Sequence, residues 1–323
     1  MSVGSRPLVP SRLAPGGLGH GTRRNPRTVV GGYIALTKPR IIELLLITTV
    51  PTMVLAQGGW PAGGHGGWPA TKLVLVTLLG GTLAAGGANA INMYVDRDID
   101  KLMVRTQGRP LVTGLIEPRR ALWFALVLQV MAFAVLWSGA NLLSACLALS
   151  ATLFYVFVYT IWLKRTSRQN IVIGGAAGAM PVLVGWAAVR NDVAWAPVLL
   201  FVIMFLWTPP HFWALAIRHV DDYRAANVPM LPAVAPLKQV LRQMLAYTVV
   251  MVAATLLLVP VAHLGMIYGV GAALLGALFI GGTVALSRNP EPQKAMRLFG
   301  YSISYVTLLF GVLTLDVLVR HGF

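Results

Sequence analysis

The sequence predicts an all-α integral membrane protein of nine transmembrane helices, and three observations carry that prediction. The 323 residues are 57% hydrophobic and only 11% charged, where a soluble domain carries about 25% charge; the mean hydropathy is +0.72. Apolar segments of spanning length, about 17–25 residues, recur near 41–57, 73–95, 120–137, 142–162, 170–189, 196–217, 243–262, 266–286 and 299–319. Of the 26 Lys and Arg, all but Lys72, Arg190 and Arg320 fall on one side of such a topology. The positive-inside rule makes that side cytoplasmic, with the N-terminus cytoplasmic and the C-terminus external. The formal charge of +16 is then a topology signal with affinity for anionic lipid and phosphate, and no nucleic-acid footprint.

Each element has a local reason. Residues 1–31 are rich in Arg, Gly and Pro, contain no acid and lack an apolar core. That excludes a secretory signal peptide and, with four prolines against an amphipathic transit helix, predicts a disordered basic cytoplasmic tail ahead of a single domain over 32–323. Thr37-Lys38-Pro39-Arg40 opens the first span, with Thr37 as cap and Pro39 in the first turn. The second span carries Gly80, Gly81, Gly86 and Gly87, and the fifth Gly174, Gly175, Gly178 and Gly185, small residues that admit close helix approach. The polar 2–3 connection is longer than a turn requires and predicts a cap over a cavity mouth. Tyr155, Tyr159 and Trp162 close the fourth span as an interfacial belt. In the sixth, Trp207-Thr208-Pro209-Pro210-His211 predicts a break or hard kink. Cys146, the single cysteine, excludes a disulfide and reads as a small core residue. Spans seven to nine carry little chemistry, with His263, Asp316 and His321 near the external side.

One constellation carries chemistry. Asn92, Asp96 and Asp100 recur every four residues, on one helical stripe whose successive members turn by about 40°. Acids facing one way repel one another unless a cation sits among them, and Mg²⁺ takes carboxylates together with substrate phosphate oxygens. The expected metal ligands are therefore Asn92, Asp96 and Asp100, with Asp221 and Asp222, from the end of the sixth span, as a second half of the site or as carboxylates positioning it, Asp222 being the better placed of the two. Asp98 lies off the stripe and is expected to pair locally with Arg97 or Lys101. Arg105 and Arg109 are expected to clamp diphosphate with their guanidinium forks, and Lys164, Arg165, Lys38 and Arg218 to add positive charge for the same anion. The bland alternative for Arg218 is an i, i+4 ion pair with Asp222 on a stripe shared with His211. His211, beside the prolines, is expected either to meet a porphyrin or to bond a carbonyl that the prolines free.

The same residues resemble a family. Asn92-xxx-Asp96-xxx-Asp100 with Arg105-Thr106 and Arg109-Pro110-Leu111 resembles the first motif of the UbiA-type intramembrane prenyltransferases. Leu36-Thr37-Lys38-Pro39-Arg40, Tyr159 through Arg165, Asn170 through Gly175, Trp207 through Leu215, and Asp222-Tyr223 through Pro232 resemble the branch of that family that farnesylates haem. A second Asp-xxx-Asp, frequent in the family, is absent: Ala225 and Ala226 stand four residues beyond Asp221-Asp222, which leaves the number of Mg²⁺ ions open. The resemblance implies nine helices around a central cavity open to the cytoplasmic side of a bacterial inner membrane. It implies a Mg²⁺-dependent enzyme in which Asp96, Asp100 and Asp222 serve catalysis. The reaction implied moves the farnesyl group of farnesyl diphosphate to the vinyl group on carbon 2 of haem b, with addition of water, giving the hydroxyethylfarnesyl group of haem O. Haem A synthase or oxidase assembly proteins are the implied downstream partners. The competing expectations are a quinone-precursor prenyltransferase and a haem carrier or transporter without catalysis.

Overall fold

Helix is the only regular structure among the described residues, 26–58 and 68–322 of a computed structural model. A bilayer offers backbone groups no water, so each span must satisfy its own hydrogen bonds. Eight helices are long and apolar enough to cross: α3 (Thr71–Val95), α4 (Pro118–Gly139), α5 (Leu142–Thr166), α6 (Asn170–Arg190), α7 (Trp195–Arg218), α10 (Leu237–Val261), α11 (Met266–Arg288) and α12 (Pro292–His321). The expected first span falls on α2 (Pro39–Gly58), whose apolar stretch Leu46–Gly58 is shorter. Short helices α1 (Pro26–Thr37), α8 (Val220–Ala225) and α9 (Leu231–Val234) lie outside the spans.

Successive spanning helices pack on one another from α2 to α7 and on through α10, α11 and α12, and α12 returns to α2, so the bundle closes into a ring. Helix α6 also lies against α2 and α3, and α7 against α12. Small residues permit this closeness. A Cβ on Gly185 would stand 2.8 Å from the Thr49 carbonyl oxygen of α2, and one on Gly174 would stand 2.2 Å from the Tyr159 ring. The outer faces expose large apolar side chains such as Trp123, Val130, Leu274 and Leu278, as a lipid-facing surface requires. This is a multi-pass membrane protein.

Several sequence expectations change. Helix α1 begins at Pro26, inside the segment assigned to the tail; residues 1–25 lie outside the described residues. Thr37 does not cap α2. It ends α1, and its hydroxyl donates to the Ile34 carbonyl at 2.8 Å. Lys38 forms the elbow at φ 54, and Pro39 opens α2 as expected. The two prolines do not break α7, which runs through Pro209 and Pro210 from Trp195 to Arg218. Each proline removes a single N–H, and a helix packed on several sides tolerates that loss. Cys146 is exposed on the bundle's surface while its neighbours Ser144 and Ala145 are buried; a small residue by itself does not tell which face it takes. Asp316 is buried, and its carboxylate accepts from the backbone N–H of Gly265 at 2.7 Å and of Tyr268 at 3.2 Å. It caps the N-terminus of α11 from a neighbouring helix, where the helix dipole favours an anion.

Candidate functional site

The stripe at the end of α3 is intact and buried. Asn92, Asp96 and Asp100 are each no more than 3% exposed. Helix α3 ends at Val95 with Asp96 as its C-cap, and backbone bonds Asp96 N–H to Asn92 O and Asp100 N–H to Asp96 O, both 2.9 Å, carry the stripe past the helix end. Asn92 Nδ2 donates to Asp96 Oδ2 at 2.7 Å and to Thr160 Oγ1 at 3.1 Å.

Each member of the stripe meets a different base. Lys38, at the α1–α2 elbow, donates to Asn92 Oδ1 at 2.9 Å. Lys164, at the end of α5, pairs with Asp96 Oδ2. Arg109 pairs with Asp100 Oδ2 at 2.5 Å. Burial, and then the positive charges of Arg109 and Lys164, bring the Lys38 ammonium down to about 7, against the pull of Asp96 and Asp100.

Lys164 reaches the stripe through an irregular helix. Residues Phe154–Leu163 of α5 form a π-helical stretch, whose wider turn resets the register of the residues beyond it. Thr160 Oγ1 bonds the Tyr155 carbonyl at 2.8 Å, the five-residue step of that helix. Gly174 gives the Tyr159 ring its room.

The α3–α4 connection runs from the stripe to the Asp222 region. Short 3₁₀ turns at Ile99–Lys101 and Val104–Thr106 shape it, and Thr106 Oγ1 fixes it by donating to the Asp100 carbonyl at 2.7 Å. Helix α1 supports it from beneath, Gly32 lying against Leu115 and Ile116. The Val104 N–H donates to Asp222 Oδ1 at 3.1 Å, so the two acid-bearing regions do meet, but through a backbone donor.

That contact revises the second half of the expected metal set. Asp222 is engaged by Val104 N–H and stands 3.7 Å from His219 Nδ1. Asp221 is fully exposed, with Arg224 at 3.8 Å. Arg218 is exposed. It shares no stripe with Asp222, because α7 ends at Arg218 and His219 leaves helical geometry before α8 begins. Arg105 is exposed as well; its charge, after burial, lowers the His219 pKa, with Asp222 opposing. Arg109, by contrast, is paired with the stripe at Asp100.

Arg165 also departs from expectation. Its guanidinium grips both oxygens of Asp98 at 2.7 Å and the Val95 carbonyl at 3.2 Å, tying the end of α5 to the end of α3. The Arg165 hydrogen bond, foremost, holds the Asp98 carboxyl down to about 2. The Asp98 partner is therefore distant in sequence; Arg97 instead donates to the Tyr94 carbonyl and lies over the Tyr94 ring.

His211 is buried between Trp207 and Phe299, ring centroids 4.1 and 4.5 Å away. Its Nδ1 lies 2.6 Å from Ser302 Oγ, and that hydroxyl donates to the Phe299 carbonyl at 2.6 Å. With the hydroxyl proton engaged there, Nδ1 must donate, and in a neutral ring Nε2 keeps its lone pair. Neither a proline-freed carbonyl nor a carboxylate occupies the ring nitrogens among the described residues.

Sequence reasoning gave no role to Asn89, nor to Thr106 and Thr160, although the last two lie inside the motifs that carry the resemblance. Asn89 donates to the Thr37 carbonyl at 3.0 Å and pins the Lys38 elbow to α3. Its position three residues before Asn92, on the same helix face, was a usable signal. Thr160 gave none, because its approach depends on the π-helical turn.

A divalent cation fits the stripe on one observation in particular. Asp96 Oδ1 is fully buried and has no hydrogen-bond partner; the Arg165 guanidinium stands 3.9 Å off, and Lys164 pairs with the other oxygen of the carboxylate. A buried carboxylate oxygen is costly to leave unmet. No three His, Cys, Asp or Glu side chains gather as a metal cluster among the described residues, so the donor set is two carboxylates and an amide. That matches Mg²⁺, which is held by one or two carboxylates with the rest of its shell from substrate phosphates and water.

Comparison with known proteins agrees with this geometry. Residues 45–310 match the model of the UbiA prenyltransferase family. The protoheme IX farnesyltransferase of Clavibacter sepedonicus is 53% identical over 292 residues, covering 89% of this chain and 92% of that protein. Among solved structures, digeranylgeranylglyceryl phosphate synthase superposes with a TM-score of 0.73 at 17% identity, over 90% of this chain and 99% of that one. A UbiA homologue of Archaeoglobus fulgidus bound to DMAPP and Mg²⁺ gives 0.59 at 16% identity, over 87% of this chain and 98% of that one. With its motifs, fold and relatives in agreement, the chain belongs to the UbiA prenyltransferase family.

Proposed function

We propose that this prenyltransferase transfers the farnesyl group of farnesyl diphosphate to the vinyl group on carbon 2 of haem b, with addition of water, to form haem O. The observation that carries the reading is the buried Asn92–Asp96–Asp100 stripe, ringed by Lys38, Lys164 and Arg109, at one end of an apolar bundle. The name borne by relatives at about half identity supplies the haem acceptor. We place the bundle in a bacterial cell membrane with the stripe at the cytoplasmic face, where most Lys and Arg lie. A haem-handling protein downstream receives the product.

Asp96, Asp100 and Asn92 would hold Mg²⁺, which supplies Lewis acidity to the departing diphosphate. Lys38, Lys164 and Arg109 orient the diphosphate and stabilise the charge that grows on it as the C1–O bond breaks. The bundle takes up the farnesyl chain and excludes water from the allylic cation, which water would otherwise capture. The terminal carbon of the vinyl group attacks farnesyl C1. The cation left beside the porphyrin takes a water oxygen and loses one proton, so that haem b, farnesyl diphosphate and water give haem O and diphosphate. Tyr155 and Tyr159, stacked 5.4 Å apart next to the stripe, offer aromatic faces to a cation. His211, with Nε2 unprotonated, is our candidate for the haem side of the site.

The charged groups gather at helix ends on one side of the bundle, whereas a transporter concentrates them near the bilayer midplane. The direct test incubates membranes holding the chain with haem b, farnesyl diphosphate and Mg²⁺, then analyses extracted haem by mass. The reading expects a mass increase of one farnesyl group plus one hydroxyl. Conversion of an aromatic acid in place of haem would sink it, as would unaltered haem.

A further inference from the structure

We propose that metal and diphosphate enter this site as one coupled event, because the stripe is already occupied by the bases that must hold the diphosphate. The inference rests on the metal–diphosphate reading and concerns how the two ligands depend on each other.

Each member of the stripe holds a base, and Asp96 has a second, Arg165, at 3.9 Å. Asn92 Oδ1 holds Lys38 at 2.9 Å, Asp96 Oδ2 holds Lys164, and Asp100 Oδ2 holds Arg109 at 2.5 Å. The carboxylates are 0% and 3% exposed, and their partners only 14% and 20%. Charges this poorly solvated are costly to separate without a replacement.

A divalent ion arriving alone would take Asp96 and Asp100 from Lys164 and Arg109. Two cations would then face a dication with no anion to meet them. A diphosphate arriving alone would find the same bases held by carboxylates, and its charge would face those carboxylates across a few ångströms. When both arrive, each group has a partner: carboxylates and amide on the ion, ammonium and guanidinium on the phosphate oxygens. The contacts exchange, and no buried charge is stranded. Asp96 Oδ1, buried and without a hydrogen-bond partner, can receive the ion before Lys164 is displaced, which makes it a first point of contact.

Such differential contacts make the two affinities mutually dependent by the same factor, on the order of 100-fold at the upper part of the usual range for coupled sites. Lys164 and Arg109 are the residues through which the coupling acts, so deleting either should weaken it. A residue that merely adds positive charge would instead change both affinities and leave their coupling intact.

The experiment uses the purified full chain in detergent and Mn²⁺ as a paramagnetic stand-in for Mg²⁺. Bound Mn²⁺ is read by electron paramagnetic resonance with and without inorganic pyrophosphate, corrected for the complex the two form in solution. For the unaltered chain, pyrophosphate should tighten Mn²⁺ binding on the order of 100-fold. In Lys164→Gln, Mn²⁺ alone should bind more tightly and the tightening by pyrophosphate should fall to about a tenth of its original factor. Arg109→Gln serves as a second variant if the first does not fold, with the same expectation. Equal Mn²⁺ affinity with and without pyrophosphate would overturn the coupling and leave the metal site standing. Undiminished coupling in both variants would overturn the assignment to these bases. Mn²⁺ binding that survives Asp96→Asn undiminished would overturn the underlying site itself.

Discussion

Asp222 offers a sharp test of what the α3–α4 connection does. Its Oδ1 accepts the Val104 N–H at 3.1 Å, and its side chain is 15% exposed. A hydrogen bond to a charged acceptor contributes about 1.5–3 kcal/mol, and partial exposure puts this one toward the lower half, about 2 kcal/mol. Asp222→Ala removes that hold on the turn carrying Arg105. If the whole amount falls on the productive position of the connection, the rate drops about 30-fold. Asp222→Asn keeps an oxygen acceptor at the same place but loses its charge. A neutral bond contributes about 1 kcal/mol, so about half the hold survives and the rate falls roughly five-fold. Neither variant should change the Mg²⁺ concentration needed for half-maximal rate. The assay is the initial rate of haem O formation, by mass, across a Mg²⁺ series. If Asp222→Asn is as damaging as Asp222→Ala and both raise the Mg²⁺ requirement, Asp222 is a metal ligand and the latch reasoning is wrong.

Asp96→Asn should abolish turnover, at least 100-fold, while haem b still binds with an unchanged absorption spectrum; a carrier would scarcely notice the substitution. Asp316→Ala removes two charge-assisted bonds from a buried helix cap and should cost about 3–5 kcal/mol, read as a lowered melting temperature at pH 7 in detergent. Arg165→Gln should lower thermal stability more at neutral than at acid pH. Asp98 is held at about 2 against an ordinary 3.8, so its pairing with Arg165 stabilises the fold above about pH 4 and is lost as pH falls from 4 toward 2. The melting-temperature gap between variant and parent should narrow over that window, down to the part carried by the Arg165 bond to the Val95 carbonyl. Ser302→Ala removes the acceptor that fixes Nδ1–H on His211 and should shift the spectrum of bound haem b without altering Mn²⁺ binding, measured on the same preparation.

Much of the molecule was legible because membrane physics writes it in composition. The spans follow from apolar length, and the stripe from a four-residue step that any α-helix obeys. Partner identity was less legible. Lys164 and Arg165 are adjacent and chemically alike, yet one meets the stripe and the other braces Asp98. The π-helical stretch decides between them, and periodicity of 3.6 has no means of registering it. Asp221 and Asp222 were inseparable in sequence; the break at His219 turns one outward and the other toward Val104. Asp316 looked idle because its partners, Gly265 and Tyr268, lie about fifty residues upstream on another helix.

Three departures from regular helix converge on this one mouth, and their coincidence argues that the site shapes the backbone there. Lys38 takes a left-handed φ of 54, a conformation that costs a non-glycine residue on the order of 1–2 kcal/mol. Phe154–Leu163 gives up α-helical bonds for π-helical ones, an arrangement frequent at functional sites. His219 interrupts the run from α7 to α8 with φ −115 and ψ 29. A bundle selected for packing alone would have little reason to keep any of them. Each, however, delivers a polar group that a straight helix would point elsewhere: the Lys38 ammonium to Asn92, the Lys164 ammonium to Asp96, the Asp222 carboxylate to Val104. Irregularity persists where surrounding contacts over-determine it, and here the contacts are those of the stripe and the α3–α4 connection. The mouth is thus the place where the chain gives up helical regularity to assemble opposite charges, which is what ionising a diphosphate ester inside a membrane protein demands.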